Sequence, residues 1–103
     1  MKLLREIAHS RTGDKGNISN ISLIAYDEKD YPLLKEKVTA EVVKKLFKDI
    51  VKGEVIRYEL PAIGALNFVM KEALGGGVTK SLALDAHGKS LSSALLALDI
   101  EKL

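Results

Sequence analysis

Two stretches of this chain repeat with the period of a sheet and a third repeats with the period of a helix. Together they confine it to an α+β fold. In residues 18–26, Ile21, Leu23 and Ala25 alternate with Ser22, Ile24 and Tyr26, the two-residue period of a strand. Residues 54–60 do the same: Ile56, Tyr58 and Leu60 share one face, and Val55, Arg57 and Glu59 the other. Between them, Val42, Val43, Leu46, Phe47 and Ile50 form one apolar stripe, with Glu41, Lys44, Lys45, Lys48 and Asp49 facing outward. Thr39 is suited to cap this helix at its start and Gly53 to stop it.

The remaining elements follow from the same periods. Residues 2–8 read as a strand and 9–17 as a polar loop; 27–30 read as a turn and 32–37 as a short helical or irregular piece. A second helix is expected over 62–74, with the stripe Ile63, Leu66, Asn67, Met70 and Leu74, closed by Gly75. Asn67 then lies on an apolar face, where an unsatisfied carboxamide costs about 1–3 kcal/mol. It either ties a neighbouring backbone or reaches into a ligand site. Residues 78–84 read as a strand, and Asp85-Ala86-His87-Gly88 as a type I turn. Leu96, Leu98 and Ile100 alternate as a returning strand within 89–101; a helix over 90–98, with Leu91, Ala94, Leu95 and Leu98 in a stripe, is the competing reading. The expectation is one domain, residues 1–103, with an antiparallel-rich sheet of four or five strands and two helices on one face.

Composition narrows the function classes. The chain has no cysteine, which removes disulfides, thiolate metal sites, cysteine nucleophiles and cysteine-ligated iron–sulfur clusters together. Its 16 basic and 14 acidic residues are interspersed and aromatics make up 5%, a poor match to a nucleic-acid binder. No apolar run approaches a membrane span and the start lacks a signal-peptide pattern, so a cytoplasmic location is expected. The absence of Gln and the abundance of Lys, Glu and Ile lean toward a thermophilic source.

The chemistry concentrates in His9-Ser10-Arg11-Thr12-Gly13-Asp14-Lys15-Gly16-Asn17. Arg11 and Lys15 suit a carboxylate or phosphate. Asp14 and Asn17 would fix the loop, and Gly13 and Gly16 let it turn. Gly75, Gly76 and Gly77 would let a ligand approach backbone N–H groups and, with Asn67, complete a pocket or interface. His9 and His87 are the proton carriers available near neutral pH. The alternative for this loop is a solvated turn, or a salt-bridge knot between subunits.

Three other signals are weak. Ala83-Leu84-Asp85-Ala86-His87-Gly88-Lys89-Ser90 nearly spells a P-loop but lacks the first glycine, and a P-loop needs a helix after Gly-Lys-Ser. Asp85 and His87 do not have a metal-ligand spacing on a helix, so no metal is expected. Ser10 or Ser81 could join a histidine and an aspartate in a triad only on paper, because no nucleophile-elbow sequence accompanies them.

Several motifs, taken together and in order, resemble a known family. They are the run His9–Asn17, Arg57-Tyr58-Glu59-Leu60-Pro61, Ala65-Leu66-Asn67-Phe68, Leu74-Gly75-Gly76-Gly77-Val78-Thr79-Lys80-Ser81-Leu82 and Asp85-Ala86-His87-Gly88-Lys89. The chain resembles the C-terminal domain of AtuA, the acyclic terpene utilisation protein, in stand-alone form, since the large N-terminal AtuA region is absent from this sequence. The resemblance implies a ferredoxin-like α+β sandwich, the name describing a topology and not a cluster. It also implies a neighbourhood of acyclic-terpene and acyl-CoA-linked acid breakdown, but no settled reaction.

The leading expectation is therefore a small subunit or ligand-recognition domain working with a larger AtuA-like polypeptide on an anionic, CoA-linked or similar organic acid. Arg11, Lys15, Asn17, Asn67, Gly75, Gly76, Gly77, His87 and Lys89 would form the ligand or partner surface. No cofactor of its own is expected beyond the CoA moiety of a substrate. The alternatives are a self-sufficient lyase or hydratase using His9 and Asp14, and a structural homo-oligomer.

Overall fold

The computed structural model describes residues 2–15, 18–48, 51–71 and 89–103, and the side chains of all of these except 14, 15, 89 and 90. Four antiparallel strands form one sheet in the order β1-β2-β4-β3: β1 is Ala8–Lys15, β2 Ile18–Ala25, β3 Val55–Leu60 and β4 Ala65–Lys71. Three helices, α1 (Tyr31–Lys37), α2 (Ala40–Leu46) and α3 (Lys89–Leu96), accompany them.

Register sorts the sheet residues onto two faces. The pairs Leu23↔Leu66, Ile21↔Phe68 and Ser19↔Met70 lie on one face; all six residues are buried. Leu34 of α1, Val43 of α2 and Leu91 and Leu95 of α3 join the same apolar cluster. Every described helix thus contributes to one layer against one face of the sheet, the two-layer arrangement that the sequence implied. Of the two helices expected, only the one opened by Thr39 is present, as α2; α1 is the short piece expected at 32–37, regular with Pro32 in its first turn, and α3 is the reading that competed with a returning strand.

Among the described residues the order of elements is β-β-α-α-β-β-α. Moving β1 to the end turns it into the β-α-β-β-α-β order of the ferredoxin-like fold, with α1 and α2 serving as one connection. The junction that such a shift would create is already stitched. Leu4 N donates to Leu98 O at 2.9 Å and Ile100 N to Lys2 O at 2.8 Å.

Four sequence expectations are corrected. Residues 9–15 are not a loop but the body of β1. After Ala8, its described side chains facing the helix layer are Ser10 and Thr12, whose hydroxyls are satisfied by Ser92 of α3; inward positions filled by hydroxyls carry no hydropathy alternation. Residues 2–8 hold a 3-10 turn, Leu4–Glu6, before that strand begins. Residues 65–71 are β4 and not part of a helix. Leu66, Phe68 and Met70 are fully buried, so the operative period is two, and Pro61–Ile63 is one 3-10 turn closed by Gly64 at φ 64°. Residues 89–96 are a helix and not a returning strand: Leu91 and Leu95, four apart, are the buried pair. The expected strand at 78–84 and turn at 85–88 lie outside the described residues.

The Thr39 cap is as expected: its hydroxyl accepts from Val42 N at 3.2 Å. The helix it opens ends earlier than Gly53, with Phe47 as the residue after the last turn.

Arg57, in one of the quoted motifs, is structural. Its guanidinium donates to Lys35 O at 2.7 Å and Val38 O at 3.0 Å, closing the carbonyl end of α1, and pairs with Glu59 at 3.2 Å. Arg57→Ala is expected to lower stability by about 2 kcal/mol, the worth of charge-assisted bonds to otherwise unpaired helix carbonyls. Arg57→Lys is expected to recover only part of it, because an ammonium cannot reproduce the planar fork. Urea unfolding of the two variants checks both.

Candidate functional site

Strand alternation sends the other residues of the sheet to the face that no described helix covers. Across the middle of that face runs one row, Arg11–Ser22–Asn67–Tyr58, one residue from each strand. Asn67 Nδ2 donates to Ser22 Oγ at 2.9 Å, which leaves the Asn67 carbonyl oxygen with acceptor capacity. Arg11 is exposed and makes no ion pair or hydrogen bond among the described residues. Tyr58 is 51% exposed.

The rows on either side are more apolar. On one side lie Gly13, Asn20, Val69 and Ile56; on the other His9, Ile24, Ala65 and Leu60. A Cβ at Gly13 would sit 3.2 Å from Asn20 Nδ2, so the Asn20 carboxamide lies over the glycine and would have to shift for a larger residue. The His9 ring stacks on Tyr26 at a centroid distance of 5.2 Å. Ile18, Tyr26, Leu60 and the turn residue Ile63 are large apolar side chains left exposed. A lone exposed apolar residue needs no explanation, but several around one open face with an unpaired cation mark a contact surface.

The structure brings some of the expected residues together and separates others. Arg11 and Asn67 share the central row, about 10 Å apart across two strand spacings. His9 is one row away. The grouping of His9 with Asp14 is undone by the extended backbone of β1: at about 3.4 Å per residue, the five steps between them span about 17 Å, too far for an acid–base pair. The side chain of Lys15, grouped with Arg11, is not among the described ones. Asn17, Gly16, Gly75, Gly76, Gly77 and His87 lie outside the described residues. Lys89 begins α3, in the layer on the opposite side of the sheet from Arg11.

Ser10 and Thr12 also belong to the helix side. Ser10 Oγ donates to Ser92 Oγ at 3.2 Å and Thr12 Oγ1 is bonded to the same oxygen. Among the described residues none of these hydroxyls contacts a histidine or carboxylate, and the cluster joins strand to helix. A helix begins at Lys89, as a P-loop would require, but residues 83–88 lie outside the described residues. Among the described residues no group of three His, Asp or Glu could hold a metal ion, and no helix is long and apolar enough to cross a membrane.

In β2, Asn20 and Ser22 face the open side, whereas Ser19 is buried toward the helices and its hydroxyl donates to Gly13 O at 3.2 Å. Tyr58 was not among the expected site residues. Its signal was present, since it shares the Ile56–Leu60 face, but nothing in the sequence set that face beside Asn67.

A family model described as the AtuA ferredoxin-like domain matches residues 2–101. No curated protein and no solved structure matches the chain.

Proposed function

The chain belongs to the AtuA ferredoxin-like domain family, and from that membership we propose that it is a recognition subunit whose open sheet face docks on a larger AtuA-like polypeptide. The assembly acts on an anionic organic acid, with CoA-linked acids as the substrate class. The observation that carries this reading is the central row: an Arg11 with no described intrachain partner beside Ser22, Asn67 and the exposed Tyr58.

Arg and Tyr amid apolar neighbours are the side chains that dominate protein interfaces. A small-molecule site would enclose its ligand in a concave cavity, whereas this is the broad face of a four-stranded sheet. A self-sufficient lyase is disfavoured by the spacing of His9 and Asp14 along one strand. Arg11 receives a carboxylate, presented by the larger polypeptide or by the substrate it holds.

Co-expression with the larger AtuA-like polypeptide tests the reading. The two chains are expected to co-elute. Tyr58→Ala is expected to weaken the complex by about 2 kcal/mol, roughly thirtyfold, while Lys44→Ala on the outward face of α2 leaves it unchanged. Equal retention of all three forms, or no complex with the unaltered chain, would overturn the reading.

A further inference from the structure

The two edges of the sheet are not alike. At β3 the outward-directed residues are flanked by the α1–α2 junction: Arg57 bonds the carbonyls of Lys35 and Val38, and Lys35 pairs with Glu59 at 3.5 Å. At β1 no described element covers the edge. Tyr26 N donates to Ile7 O, and in this register every second residue of β1 from there, His9, Arg11 and Gly13 included, exchanges bonds with β2. The alternate residues, Ala8, Ser10, Thr12 and Asp14, therefore turn their N–H and C=O groups outward. No described group bonds them. The strand runs eight residues without a proline or a bulge.

Such an edge is a template for another strand. We propose that this edge of β1 receives an extended acidic segment of a partner protein, which adds to the sheet as a fifth strand. Charge selects the occupant. On the open face next to this edge stand His9 and the unpaired Arg11, with no described carboxylate in either row, so the incoming strand carries an acid opposite Arg11. A second copy of this chain is the poorer fit. Antiparallel pairing about a two-fold axis normal to the sheet keeps like faces together, and near the middle of β1 it sets one Arg11 beside the other, which is repulsive. The strand-pairing groups belong to the edge alone, while Arg11, which selects an acidic occupant, is shared with the proposed docking face.

The probe is a short blocked peptide alternating threonine and glutamate, compared with a twin in which lysine replaces glutamate. Amide exchange followed by NMR on the whole chain is the readout. In the free protein the Ser10 and Thr12 amides are expected to exchange fast and those of His9, Arg11 and Gly13 slowly. The glutamate peptide should protect Ser10 and Thr12, and the lysine peptide should not. Thr12→Pro, which removes one outward donor at an edge position that tolerates proline, is expected to weaken binding about tenfold. Thr12→Ala, which loses the same hydroxyl but keeps the N–H, should stay within about twofold of the unaltered chain. Tyr58→Ala should bind the peptide normally, so a failed sheet-face reading is told apart from a failed edge. The proposal is overturned if neither peptide protects the edge or if both do equally. It is also overturned if Ser10 and Thr12 are already protected in the free protein: sensitivity to dilution would then indicate a second copy, and insensitivity an edge occupied within the chain.

Discussion

Phe68→Ala is expected to lower the unfolding free energy by about 3–5 kcal/mol, whereas Asn67→Ala, one position earlier, should cost less than about 1.5 kcal/mol. The contrast follows from β4 being a strand. Phe68 is fully buried at the centre of the sheet, paired with Ile21 on one side and Arg57 on the other. Truncating it removes a large apolar surface and leaves a cavity that neighbouring strands cannot collapse to fill. Asn67 is on the other face, half-exposed, with one described hydrogen bond, to Ser22. Its loss leaves a hydroxyl that water reaches. A helix over 62–74 reverses the order, since it puts Asn67 inside the stripe and Phe68 outside it. Urea denaturation of the two variants measures the difference. Comparable losses, or a larger loss for Asn67→Ala, would contradict the strand.

The second large effect is on binding and not on stability. Arg11→Glu is expected to weaken the complex with the larger AtuA-like polypeptide about a hundredfold or more, the scale of reversing a charge that an interface desolvates. The melting temperature should barely move. Arg11 is exposed with no described intrachain partner, and surface changes away from caps, cores and networks are usually within about 0.5 kcal/mol. Titration calorimetry for affinity and calorimetric melting for stability separate the two. A large fall in melting temperature with unchanged affinity would make Arg11 a structural residue and remove the row's significance.

What the sequence reveals and what it hides follow one rule. An element is legible where its inward face is apolar and its period is unambiguous. β2 qualifies, through Ile21 and Leu23, as does α2 with Thr39 at its start; β3 shows its period, but its apolar Ile56–Leu60 set lies on the open face, and Val55, Arg57 and Glu59 face inward. β1 fails the first condition. Its inward Ser10 and Thr12 are satisfied by Ser92, some eighty residues away, and no local pattern announces that partnership. β4 and α3 fail the second, because short apolar runs such as Leu66, Phe68 and Met70 fit either period until burial decides.

The candidate site divides in the same way. Arg11, Asn67 and His9 are identifiable by residue type and do share the open face. Grouping His9 with Asp14 assumed a loop that could fold back on itself; an extended strand holds that pair apart. The row itself depends on register between strands far apart in sequence, Ser22 against Asn67 and Asn67 against Tyr58. Spacing along the chain does not encode that.

The central claim is that the helix-free face of the sheet is a contact surface. Solvent accessibility measured by NMR with a soluble paramagnetic agent, on the free chain and on its complex with the larger AtuA-like polypeptide, tests it most directly. The account predicts that Ile24, Ile56, Tyr58 and Leu60 are relaxed by the agent in the free chain and shielded in the complex, while Lys44 and Lys45 of α2 are unchanged. Shielding of the α2 face, with Tyr58 and Leu60 as accessible as before, would contradict it.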